Sequence, residues 1–257
     1  MQTIAVVTGA GRGLGRKIAD RLAARGHHVL ATDIDAAAAQ ATATAVGGTA
    51  VAQDVRDPES HRQVARMASE LGELVVWVNN AGVLAVGDAW EMADAAVQRM
   101  VEVNLLGVIW GCHAAIPRMT RGQILNIASI SSLVPAPGLA IYDATKHGVL
   151  GYSLSVAGEL QRVKRPITIS ALCPDAFASD MTGAVASDPA AALLFSAGKL
   201  LTLDAVADAA IDLVDHPRPI RTLPASRAAL IHLLRPFPSL ALRLLDQLAK
   251  LGRKHQR

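Results

Sequence analysis

Thr8-Gly9-Ala10-Gly11-Arg12-Gly13-Leu14-Gly15 is the stretch on which the reading of this chain turns. It follows directly on an apolar, β-branched run at residues 3–7, the pattern of a strand buried on both faces of a parallel sheet. Residues 16–25 after it carry Ile18, Ala19 and Leu22 at helical spacing before Gly26 stops the run. The order is strand, glycine loop, helix. A pyrophosphate approaching the amides at a helix N-terminus meets partial positive charge there, but only if side chains do not block the backbone. Gly9, Gly13 and Gly15 supply that clearance.

Outward from the loop, strands and helical stretches alternate. Residues 28–32, 49–52, 74–78, 124–128 and 167–172 read as strands, and residues 61–71, 93–119 and a stretch running to about residue 162 as helices. Such alternation predicts parallel βαβ units with ligands at the carboxyl ends of the strands. Asp33 stands just past the second strand, where a carboxylate accepts hydrogen bonds from ribose hydroxyls and repels a 2′-phosphate. That favours NAD over NADP; Arg12 in the loop pulls the other way. Asn104 lies within an apolar helical stretch and needs partners if buried.

In Tyr142-Asp-Ala-Thr-Lys146 the phenol and the ammonium are four residues apart, hence on one face of a helix. A nearby cation favours the phenolate and lowers a pKa that is about 10 in water. Such a pair moves protons near neutral pH.

Hydrophobic residues make up 51% of the 257, enough for a large core. Cys112 and Cys173 make no disulfide framework, and no basic segment precedes the first apolar run, so a cytoplasmic setting is expected. His27, His28, His61, His113, His147, His216 and His232 show no metal-ligand spacing, and no metal is expected. The net charge of +3 is concentrated in residues 226–257, where seven Lys and Arg face Asp246 alone. The body is therefore net acidic, which argues against nucleic acid as a partner. In this tail Phe237, Leu240, Leu244, Leu245, Leu248 and Leu251 form one side of an amphipathic helix, separated by Pro236 from a shorter one at residues 228–234. Two destinations stand for its apolar side: the subunit body or a neighbouring subunit, or the surface of an anionic membrane.

With these residues in hand, the sequence resembles the short-chain dehydrogenase/reductase family over about residues 3–215. The likeness rests on the glycine loop, Asp33, Asp54-Val55, Asn79-Asn80-Ala81-Gly82, Asn104, Asn126, Ser129, Tyr142, Lys146 and the segment from Pro174 to Met181, in the family's order. It implies an α/β fold: one Rossmann-type doubly wound domain (1–225), a parallel sheet of about seven strands flanked by helices, and a basic helical extension (226–257). It implies Tyr142 as general acid/base, Lys146 as the residue that lowers the phenol pKa and holds the nicotinamide ribose, Ser129 on the reacting oxygen, and Asn104 in a water-linked relay. The cofactor would be held by Gly9, Gly11, Arg12, Gly13, Leu14, Gly15, Asp33, Ile34, Asp54, Val55, Asn80, Ala81, Gly82, Tyr142, Lys146, Pro174 and Ser179. A homodimer or homotetramer would form through the helices carrying Asn104 and Tyr142.

Four positions depart from the family pattern. Asp175 follows Pro174 where glycine is usual, Ser179 replaces a frequent threonine, Val75 stands where an aspartate is common, and residues 221–224 lead into the basic tail instead of a glycine-rich ending. The substrate side is apolar, with Leu133, Val134, Pro135, Leu139, Phe177, Met181, Leu193, Leu194 and Phe195. The expected activity is hydride transfer between NAD(H) and a lipophilic secondary alcohol or ketone. The alternatives are an NADPH-dependent carbonyl reductase of the same fold and a non-catalytic nicotinamide-binding protein.

Overall fold

A computed structural model describes residues 1–234 and 236–256; Arg235 and Arg257, counted in the basic tail, lie outside them. Seven parallel strands form one sheet in the order β3-β2-β1-β4-β5-β6-β7. They are β1 (Thr3–Thr8), β2 (His28–Asp33), β3 (Thr49–Ala52), β4 (Glu73–Asn79), β5 (Gly122–Ile127), β6 (Ile167–Pro174) and β7 (Ile220–Leu223). The strand order reverses between β1 and β4, which opens a crevice at their carboxyl ends. Val75 sits beside an irregularity in this pairing, between Ile4 and Ala5.

Helices cover both faces. On one side α1 (Gly13–Ala24), α2 (Ala36–Val46) and α8 (Leu203–Asp215) bury Ile18, Leu22, Ala43, Val206 and Ile211 against the sheet. On the other, α3 (Pro58–Leu71), α4 (Asp94–Val101), α5 (Gly107–Ala115) and α6 (Ala140–Arg162) surround a core containing Trp77, Val108, Ile124 and Val149. Strands β1, β4 and β5 are buried on both faces, which is why they read as continuous apolar runs. The short helix α7 (Asp180–Ala184) and a 3-10 segment, Pro189–Phe195, follow β6.

The helix expected at residues 93–119 is interrupted: α4 passes into a π-helical turn, Glu102–Leu106, before α5. The turn holds Asn104, whose amide is buried and bonds to a neighbouring backbone segment; a π-turn is where a side chain is re-aimed out of helical register. Helix α2, helix α8 and strand β7 went unread in the sequence: α2 is alanine-rich with no clear apolar stripe, and residues 221–224, read as the lead into the tail, mostly belong to β7.

The tail forms α9 (Ala225–Leu234) and α10 (Pro238–His255), parted at Pro236 as expected. Ala241 is buried, and Leu245, Leu248 and Ala249 pack against Leu139 and Leu193 of the body. Phe237, Leu240 and Leu251 remain exposed. Among the described residues, no helix is long and apolar enough to cross a membrane.

Candidate active site

The glycine loop is shaped by contacts that side chains would prevent. A Cβ on Gly15 would stand 2.1 Å from the Gly9 carbonyl oxygen, and one on Gly9, at φ +64°, would stand 2.9 Å from Ala81 Cα. Gly13, at φ +54°, lines the cleft with nothing within 4 Å of a Cβ position, so a side chain there would project into open space above the N-terminus of α1. The Thr8 hydroxyl accepts from the amides of Asn80 (3.0 Å) and Ala81 (3.1 Å), while Asn80 Nδ2 donates to the carbonyls of Thr8 (2.9 Å) and Gly9 (3.0 Å). These four bonds lock the end of β4 to the loop across the switch point.

Asp33 closes the far end. Its Oδ2 accepts from Gly11 N at 2.9 Å and its Oδ1 from Asp35 N at 3.0 Å, which fixes the carboxylate at the cleft beside exposed Ile34. Asp54 also lines the cleft and is gripped by Arg56, whose guanidinium holds the Asp54 carboxyl below its usual range. Arg12 lies over the cleft mouth, 3.7 Å from Asp180.

At the centre, β5 delivers Ser129 and α6 delivers Tyr142 and Lys146. The Ser129 hydroxyl accepts from Ser131 N at 3.2 Å and lies near enough to the Tyr142 phenol to pull its pKa down. Lys146 is buried; its Nζ donates to the Ile127 carbonyl at 2.9 Å and stands 5.6 Å from the centre of the Tyr142 ring. Sequence reasoning expected the ammonium to depress the phenol pKa. In the structure burial pushes the Tyr142 phenol up, to about 12, against the pull of Ser129, and pushes the Lys146 ammonium down, to about 8. Desolvation disfavours both charged forms, and the ammonium donates its hydrogen bond to a carbonyl rather than to the phenol oxygen.

Seventeen of the nineteen predicted site residues line this one cleft of about 1170 Å³; Gly11 and Asn104 do not. Gly11 acts through its amide on Asp33. Asn104 holds Val83 at both ends, its Oδ1 accepting from Val83 N (2.8 Å) and its Nδ2 donating to Val83 O (2.9 Å), and its Oδ1 lies 3.4 Å from where a Cβ of Gly82 would be. Ser179 lines the cleft and caps α7, accepting from Thr182 N.

Of the nine apolar substrate-side residues, Val134, Leu139, Phe177, Met181, Leu193 and Leu194 line the cleft. Leu133 is buried in the main core, Pro135 faces solvent, and Phe195 is not on the lining. The sequence reading missed several further residues. Asp175 pairs with Arg227 of α9 at 2.7 Å, and both line the cleft with Leu245 of α10. Asp143 is buried beside Tyr142; its Oδ2 accepts from Ala136 N at 2.5 Å, while its Oδ1 has no partner among the described residues. Beneath the site, Asn79 accepts from the Trp77 indole (2.7 Å) and donates to Asn126 Oδ1 (2.8 Å), and Asn126 donates to Ser153 (2.9 Å). The doublet Asn79-Asn80 and the motif at Asn126 mark that ladder in the sequence. Asp175 stands out in the sequence as a departure from the family pattern, but its partner Arg227, 52 positions on, carries no local signal.

A glycine loop at the switch point of a parallel sheet, facing a serine, a tyrosine and a buried lysine, defines a Rossmann-type oxidoreductase. The short chain dehydrogenase family model matches residues 3–190. The chain belongs to the short-chain dehydrogenase/reductase family. It is 36% identical over 214 residues to the 3-oxoacyl-[acyl-carrier-protein] reductase FabG of Escherichia coli, a match covering 80% of this chain and 87% of that protein. It is 34% identical over 191 residues to the diacetyl reductase [(S)-acetoin forming] of Staphylococcus epidermidis, covering 70% of this chain and 74% of that one. A crystal structure of a short chain dehydrogenase/reductase from Burkholderia phymatum in complex with NAD superposes with a TM-score of 0.83 at 25% identity, covering 93% and 95% of the two chains.

Proposed function

We propose that this enzyme transfers hydride between NAD(H) and a lipophilic secondary alcohol or ketone. The observation that carries the reading is the convergence of Ser129, Tyr142 and buried Lys146 in the same cleft as the glycine loop and Asp33. The residues present fit a dinucleotide: Gly13 leaves the space a pyrophosphate needs, Asp33 presents a fixed carboxylate for ribose hydroxyls, and Lys146 offers a buried amine below the site. Nicotinamide, when bound, supplies the hydride acceptor or donor. Tyr142, protonated across the physiological range, donates its phenolic proton to a carbonyl oxygen during reduction. Ser129 donates a second hydrogen bond to the same oxygen as negative charge develops there. Lys146 as ammonium stabilises the phenolate left behind, and its removal from water strengthens that effect. Asn104, by fixing Val83, holds the Gly82 edge of the cleft against Lys146.

NAD over NADP is supported by Asp33, whose charge opposes a 2′-phosphate; Arg56, the guanidinium bound to Asp54, is already neutralised. An apolar substrate is supported by Val134, Leu139, Phe177, Leu193 and Leu194; of the lining cations, Arg12, Arg56 and Arg227 are matched by carboxylates, Lys146 belongs to the reacting group, and Arg99 lies among the lining residues with Asp54 and Arg56. The diacetyl reductase relative keeps small ketones within the class. The test is a panel of secondary alcohols and ketones followed by the absorbance of reduced nicotinamide, with both cofactors. Turnover of small charged hydroxy acids alone would overturn the substrate class, and a higher kcat/KM with NADPH would overturn the cofactor.

Assembly as a homodimer or homotetramer through the helices carrying Asn104 and Tyr142 belongs to the same reading, and light scattering of the purified chain measures it. The exposed side of α10 supports peripheral contact with anionic membranes, since Phe237, Leu240 and Leu251 flank Lys250, Arg253 and Lys254. Salt-sensitive sedimentation with anionic liposomes tests it; none at low salt removes it.

A further inference from the structure

The segment that closes the substrate end of the cleft is held from outside by the C-terminal helices. Gly252 of α10 lies so close to the Pro189–Phe195 segment that a Cβ there would stand 1.8 Å from the Ala192 carbonyl oxygen. Past this contact His255 Nδ1 donates to the Phe195 carbonyl at 2.9 Å, and Gln256 Nε2 donates to the Asp188 carbonyl at 2.8 Å. From α9, Arg227 donates to Asp175 at 2.7 Å and to the Ser196 hydroxyl at 2.8 Å, so the end of β6 and the end of that segment are tied to one guanidinium. The helix docked in this way brings Leu245 to the cleft, in the same apolar cluster as Leu194, Leu248, Ala249 and Tyr142.

We infer that α10 is a fixed wall of the substrate site and that Leu245 sets the length and bulk of the apolar group the enzyme accepts. The inference rests on the proposed ketone chemistry of the cleft and adds a selecting residue that the core fold does not contribute. A docked helix gives a rigid wall, because moving it breaks the Gly252 contact and two carbonyl bonds together. An apolar wall selects by size, and in such pockets one methylene group changes selectivity by about tenfold or more.

The test uses the full chain with NADH and methyl ketones bearing butyl, hexyl and decyl chains. Leu245→Trp is expected to lower the decyl-to-butyl ratio of kcat/KM by about tenfold or more, and Leu245→Ala to raise it. Gly252→Val, which pushes α10 from its seat, should flatten the ratio across the series. Calorimetric binding of the same ketones to the NADH complex is measured in parallel. If the unaltered enzyme binds the ketones but reduces none, the proposed reaction fails while the binding ratios still decide the role of Leu245. A decyl-to-butyl ratio that neither Leu245→Trp nor Leu245→Ala moves, with both variants folded by circular dichroism, overturns the inference. Binding of no member of the series overturns it as well.

Discussion

The Lys146 ammonium stands 5.6 Å from the centre of the Tyr142 ring and donates a hydrogen bond to the Ile127 carbonyl at 2.9 Å. The two side chains share a face of α6, as their spacing requires, yet they face each other through ring and amine rather than through the reacting oxygen. Tyr142 thereby stays protonated and loaded as an acid. Replacing it with Phe removes the donor and little packing. Tyr142→Phe is expected to lose about a hundredfold to ten-thousandfold in kcat while still binding NADH, measured by fluorescence of the bound nicotinamide. Near-normal turnover would mean that the proton comes from another group.

The amine sets a limit on the alkaline side. Burial lowers the Lys146 ammonium to about 8, so it is charged below that pH and loses its proton as pH rises through it. Ketone reduction needs the charged form to stabilise the phenolate, so kcat/KM should fall as pH rises through about 8. Lys146→Arg, which does not deprotonate, should move that alkaline fall upward even where its absolute rate is lower. An unchanged fall in the Arg variant would remove Lys146 as its origin.

Cofactor choice turns on one carboxylate. Asp33 keeps both oxygens engaged by backbone amides, so Asp33→Asn preserves an acceptor while removing the charge that opposes a 2′-phosphate. The NAD-to-NADP ratio of kcat/KM should fall by about tenfold or more, since like charges set side by side cost several kcal/mol. A ratio unaffected by this change would place the discrimination elsewhere, with Arg12 the next residue to alter.

Much of this architecture was legible in the sequence because the buried strands are continuous apolar runs and the glycine loop is a local motif. Tyr142 and Lys146 were legible because their helical spacing falls in the family's order of motifs, with Ser129 thirteen positions before Tyr142. The π-turn at Asn104 was not, since no breaker marks it and the side chain finds its partner at Val83, 21 positions away. The amphipathic pattern of α10 announced a covered face but not its cover; only the approach of Gly252 to Ala192 settles that. Asp143 is the sharpest case. An acid in the first turn of a helix reads as favourable for the helix dipole, and nothing in its neighbours says that the loop at Ala136 folds over it.

The amide ladder under the site predicts a loss of stability. Asn79→Leu fits the volume but leaves the Trp77 indole N–H without a partner and Asn126 Oδ1 with only the weak Cys112 thiol at 3.7 Å, both in the core. Each buried group so stranded costs about 1–3 kcal/mol. For a chain of this size the melting temperature should drop on the order of 10 °C. Thermal unfolding followed by circular dichroism measures it. A drop no larger than that of an exposed substitution would mean that the ladder contributes little.

Asp143 makes stability depend on pH in a direction unusual for a carboxyl group. Burial raises its pKa from 3.8 to about 7, against the pull of the Ala136 amide and the Ser131 side chain. The folded state therefore holds a proton that the unfolded chain releases at lower pH. The stabilisation is full below about 4, declines as pH rises, and is lost once pH passes about 7. Asp143→Asn keeps an acceptor for Ala136 N and cannot ionise, so it should resemble the unaltered protein near pH 4 and be the more stable of the two at pH 8. The upper limit of that gain is about 4 kcal/mol, from three pKa units at about 1.4 each. Urea unfolding of both proteins across this range decides it: parallel pH profiles would show that the Asp143 carboxyl is ionised in the folded protein throughout.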